Sequence, residues 1–130
     1  MSEFAHFFTE VTGYDKVHQW QVELARPHDC NNRLIRIPTG FGKTLGVLAT
    51  WIWHRVHKQN TNWPRRLIWC LPMRVLVEQT ESEVREALEP LGMLWKEDST
   101  PDGKVGVHLL MGGADAGQWH IEGFGPFTLA

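Results

Sequence analysis

Ile37-Pro38-Thr39-Gly40-Phe41-Gly42-Lys43-Thr44 is a glycine-rich turn that ends in Lys-Thr. It constrains the chain more than any other stretch because of what flanks it. Arg33-Leu34-Ile35-Arg36-Ile37 is short and β-branched, the pattern of a buried strand. From Thr44, Leu45, Val47, Leu48, Ala49, Trp51, Ile52, Trp53 and Val56 follow without a proline, apolar on nearly all sides. That pattern predicts a buried helix, with a basic end at His54, Arg55, His57 and Lys58 that suits the negative end of its dipole. Strand, glycine loop, Lys-Thr and helix in this order make a phosphate-binding loop. Backbone N–H groups wrap a triphosphate, Lys43 reaches its outer phosphates and the Thr44 hydroxyl holds Mg²⁺. Ile37 stands where the first glycine of the general pattern is written, which leaves the compact form T-G-x-G-K-T.

At 130 residues the chain has room for one ordinary domain. A hydrophobic fraction of 42%, with 7 Trp and 6 Phe, suffices for a core and argues against disorder. The formal charge of −2 excludes a generally basic nucleic-acid binder. It leaves room for a local groove, since the basic residues gather between Arg33 and Arg74. Cys30 and Cys70 lack metal-ligand spacing and read as reduced thiols of a cytoplasmic protein. Met1-Ser2-Glu3 opens neither a signal peptide nor a membrane span.

The remaining elements read in order. Ser2 caps a helix to Val11 that Gly13 closes, and Asp15 caps a second that runs to about Arg26 and stops before Pro27. Cys30-Asn31-Asn32 is a turn, and Asn60 to Pro64 a polar loop. Arg66 to Leu71 is apolar enough for a central parallel strand. After Pro72 a helix sets Leu76, Thr80, Val84, Ala87 and Leu88 on one face and Glu78, Glu81, Glu83 and Glu86 mostly on the other. Glu97 to Gly103 is a polar loop, and Val105, Val107 and Leu109 alternate as a strand that ends at Gly112-Gly113. Strands separated by helices give an α/β fold with a parallel sheet. Residues 123–130 have no usable periodicity and read as an irregular tail, the product of truncation or a frameshift, with residues 1–122 as the domain proper.

Three further segments, read with the loop, resemble superfamily-two helicases. Gly13-Tyr14-Asp15-Lys16-Val17-His18-Gln19-Trp20-Gln21 has the glycine, aromatic and final glutamine of the Q motif, with Val17 and His18 where the family has Pro-Thr. Read alone it is a helix with Trp20 in the core and solvated glutamines. Beside the phosphate loop it implies that the Gln21 amide pairs with N6 and N7 of adenine. Leu71-Pro72-Met73-Arg74-Val75-Leu76-Val77-Glu78-Gln79-Thr80 is similar to the P-T-R-E-L-A-x-Q motif, which places Arg74 at a helix N-terminus to grip a nucleic-acid phosphate. Gly112 and Gly113 match a glycine pair that lets the nucleic-acid backbone come close.

The resemblance implies a RecA-like motor domain with ATP and Mg²⁺ as cofactors and Thr39, Gly40, Phe41, Gly42, Lys43 and Thr44 around the nucleotide. Gly13-Tyr14, Trp20-Gln21, Pro38 to Thr44, Leu71 to Arg74 and Met111-Gly112-Gly113-Ala114 together look most like the helicase-nuclease of type I CRISPR systems. That kinship implies DNA rather than RNA as partner, association with a CRISPR effector complex, and no membrane. The family's nuclease needs further metal ligands on helices, so His28-Asp29, set between Pro27 and an Asn turn, reads as ordinary loop.

The family's D-E-x-x box, which completes the Mg²⁺ site and orients water, has no counterpart in this sequence, and neither does the second motor domain with its arginine finger. Glu97-Asp98 follows no apolar strand, and Asp115 has no glutamate partner. The chain is therefore expected to be an N-terminal piece of a first motor domain, inactive alone and weakly stable. A non-catalytic binding module or decoy, a DEAD-box-like RNA helicase piece and a restriction translocase are the alternatives.

Overall fold

A computed structural model describes residues 3–38, 42–94 and 105–109, and the backbone of 127–129. The chain divides into two compact units, Met1–Pro64 and Arg65–Ala130.

The first unit is helical. Helix α1 spans Glu3–Thr12 and buries Phe4, Ala5, Phe8 and Val11, a stripe at helical spacing. It ends at Gly13, whose N–H returns to the Thr9 carbonyl at 2.9 Å. Helix α2 covers Gln19–Ala25. It starts later than the sequence suggests: its cap is His18 rather than Asp15. The cause is local, because Gln21 Oε1 accepts the His18 N–H at 2.8 Å and satisfies a donor that the helix start would otherwise orphan. Helix α3, Lys43–Trp51, buries Leu45, Leu48, Ala49 and Trp51, as its apolar run predicts. From Ile52 to His57 the same rod widens into a π-helical segment, with Lys58 N–H reaching the Trp53 carbonyl at 2.9 Å.

These helices share one core. Phe4, Phe8, Ala25, Ala49 and Trp53 cluster, with Phe7 and Val17 packed against them. Trp53 meets Phe4 edge-on at 5.8 Å between ring centres and Phe7 at 5.2 Å, geometries that aromatic pairs favour. Below it, His28 and Asn60–Trp63 close a staple: the His28 carbonyl accepts from Asn60 Nδ2 at 2.7 Å and from Trp63 Nε1 at 2.8 Å. Asp29 accepts from Asn62 at 2.8 Å, so the His28-Asp29 pair binds loop to loop.

The strand expected at Arg33–Ile37 does not form. Residues 31–38 have no regular structure, and Leu34 is 80% exposed. A strand holds only when a neighbour takes up its backbone groups, and among the described residues nothing pairs with this stretch.

The second unit is a short parallel sheet with one helix. Strand β1 is Arg66–Leu67, β2 Val105–Val107 and β3 Phe127–Leu129, in the order β1-β3-β2. Arg66 pairs with Thr128, and Val105 and Val107 pair with Phe127 and Leu129. The parallel α/β pattern is as expected, but the strands are shorter. Residues 68–71 leave the ladder, and Cys70 among them is exposed. Phe127–Leu129, where no regular element is expected, supplies the middle strand. Helix α4, Arg74–Leu88, buries Val84 and Leu88. Leu76, expected on the same face, is 38% exposed. Arg85 Nη2 donates to the Val107 carbonyl at 3.0 Å and ties α4 to β2. Ile68–Leu71, Val77, Val84 and Val107 line an apolar cavity of about 240 Å³ under the helix.

Candidate nucleotide site

The site is built on the N-terminus of α3. Gly42 caps it at φ 72°, ψ 39°, a left-handed turn that costs glycine little and other residues more. Glycine has no side chain with which to cap a helix, and among the described residues no side-chain cap takes up the first-turn N–H groups, which suits them to an outside acceptor. Lys43, the first residue of α3, is exposed, and Thr44 beside it is half-buried. The helix dipole adds partial positive charge at the same point. A phosphate oxygen is the kind of acceptor this arrangement suits, and a cation on the same phosphates falls within the chemistry of the Thr44 hydroxyl. Thr39, Gly40 and Phe41 lie outside the described residues.

Gln21, expected on the sequence to read adenine, lies against this turn. It is fully buried, and its Nε2 donates to the Gly42 carbonyl at 3.1 Å. Its Oε1 is already engaged with the His18 N–H. The fold thus brings Gln21, Gly42, Lys43 and Thr44 to one place. Arg74 is the first residue of α4 in the other unit, exposed, with Nε 3.4 Å from Glu78 Oε1. Gly112 and Gly113 lie outside the described residues.

Gly46 is the residue that sequence reasoning passes over. A Cβ there would stand 2.7 Å from Trp20 Cη2, closer than packed atoms tolerate, and 3.0 Å from Gln21 Cγ. The signal was present: an isolated glycine inside an apolar helix costs about 1 kcal/mol against alanine and calls for a packing reason.

A family model for DEAD/DEAH box helicases matches residues 18–112, which spans the Gln21 helix, the glycine loop and α4. The chain belongs to the DEAD/DEAH box helicase family. Neither a curated protein nor a solved structure matches it. DEAD/DEAH box helicases have a RecA-like motor fold and generally use ATP and Mg²⁺, which agrees with the parallel strands of the second unit and the open helix terminus of the first. Membership makes this a helicase- and ATPase-type chain that takes nucleic acid as its partner class. Among the described residues, no helix of this family member is long and apolar enough to cross a membrane.

Proposed function

We propose that this chain is part of the first motor domain of an ATP-driven DNA helicase of the CRISPR-associated kind. One observation carries the nucleotide half of that reading: a left-handed Gly42 opens α3 with no side-chain cap among the described residues, and Lys43 follows at once, exposed. In this reading residues 39–42 cradle the phosphates, Lys43 neutralises them and Thr44 holds Mg²⁺. The nucleic-acid half assigns the phosphate grip to Arg74 and close approach of the strand to Gly112 and Gly113. DNA rather than RNA, and a CRISPR effector complex as partner, rest on the Pro38–Thr44, Leu71–Arg74 and Met111–Ala114 resemblance. Hydrolysis also needs an acidic pair and an arginine finger, which fall to other parts of the motor. Bound Mg·ATP supplies the phosphoryl chemistry; this chain binds and orients it.

The test is Lys43→Ala in the complete protein. Lys43 is exposed, so the fold should persist, judged by unchanged helical content. ATP-dependent unwinding of duplex DNA should be abolished. Undiminished unwinding by the variant overturns the assignment.

A further inference from the structure

We infer that Gln21 is a positioning residue for the Gly42–Lys43 peptide at the start of α3, packed against the glycines at 42 and 46. The inference rests on the nucleotide-site reading and gives the Gln21 amide a duty that does not involve the base.

The contacts are specific. Gly42 and Gly46 lie four residues apart, on one face of the helix start. Gly46 N–H donates to the Gly42 carbonyl at 2.9 Å, and Gln21 Nε2 donates to the same oxygen at 3.1 Å. A carbonyl has two lone pairs, so this oxygen is fully used. A Cβ at 42 would stand 2.9 Å from Gln21 Nε2, and one at 46 would stand 3.0 Å from the same nitrogen. The amide packs tightly against both glycines, and at 46 Trp20 Cη2, 2.7 Å from the same Cβ, packs closer still.

The consequence follows from the rigidity of the peptide unit. The Gly42 carbonyl and the Lys43 N–H belong to one planar trans group and point in opposite directions. Holding the oxygen against Gln21 and Gly46 therefore aims the Lys43 N–H outward from the helix start, where a phosphate is received. Gln21 is buried, with Oε1 engaged by the His18 N–H, so its amide ties the start of α2 to the start of α3. Such a latch serves any nucleoside triphosphate equally.

Two variants of the full chain separate the latch from base readout. Gln21→Met removes both contacts at similar length. Gln21→Glu keeps the acceptor for His18 but sets a carboxylate against the Gly42 carbonyl. Each should weaken Mg·ATP and Mg·GTP binding by the same factor, about tenfold for the lost bond to the Gly42 carbonyl, and leave their ratio unchanged. Without nucleotide, exchange of the Gly46 amide should accelerate while Leu48 to Trp51 stay protected. Loss of ATP binding with GTP spared shows base readout and overturns the latch, as does unaltered Gly46 exchange. Should the unmodified chain bind no nucleotide, the proposed function fails while Gly46 exchange still judges the latch.

Discussion

Lys43 sits where a helix least wants a cation. It is the first residue of α3, and a positive charge at that end opposes the dipole by about 0.3–1 kcal/mol. Lys43→Ala should therefore raise stability by about that amount while it abolishes nucleotide binding, an opposition that marks a residue kept for function. A urea midpoint that falls in this variant contradicts the reading. Gly42 gives the converse case. Any side chain there meets both the left-handed backbone and the Gln21 amide 2.9 Å away, so Gly42→Ala should lower stability by about 1–2 kcal/mol from the backbone alone. Calorimetry with Mg·ATP should show weakened binding in the same variant. Much of this was legible in the sequence, because glycine, Lys-Thr and the apolar run are local signals. The burial of Gln21 was not. A glutamine on a short helix reads as solvated until a partner 21 positions away is known, and only the unexplained Gly46 hinted at one.

The elements show the same divide between local and distant causes. Helices α1, α3 and α4 stand close to where periodicity places them, since their hydrogen bonds are internal. Arg33–Ile37 has the right composition for a strand yet forms none, because a ladder partner is a property of the fold and not of the five residues. Phe127–Leu129 shows the reverse: Gly123 to Pro126 offers no pattern before it, but β1 and β2 on either side make it a strand. The π-helical segment at Ile52–His57 has no local signature for a related reason, since its contacts lie elsewhere in the chain. His54 is buried, stacked on Trp63 at 4.3 Å between ring centres, with Nε2 at the Ala25 carbonyl. Burial lowers its pKa below 6.5, outweighing the Ala25 hydrogen bond that raises it, and the nearby His28 and Lys58 charges lower it further. The folded form thus holds the proton less tightly than the unfolded chain. Its stability contribution is full above pH 6.5 and declines as pH falls from there toward the folded pKa. Between pH 7.5 and 5.5 the native chain should lose more denaturant resistance than His54→Gln does. Equal losses would show that another group carries the dependence.

At the scale of the molecule, the apolar side chains left in water govern how the chain behaves. Leu34 is 80% exposed, Met73 58%, Val75 55% and Ile68 51%. Ile68 directly follows β1, which among the described residues lies at the edge of its sheet, and an edge strand is a template for pairing with another chain. Each such side chain gains about 1.5–3 kcal/mol on burial, and a formal charge of −2 supplies little repulsion to keep copies apart. The chain on its own should therefore associate, with an average mass in sedimentation equilibrium that rises with concentration and lies above the 15.0 kDa of one copy. Leu34→Lys combined with Ile68→Lys should return it toward the monomer, since each puts a charge where an exposed apolar side chain would otherwise be buried between copies. The opposite finding is equally readable: a monomer at all concentrations, unfolding reversibly in a single cooperative step, means these side chains are tolerated in water and the short sheet is sufficient by itself.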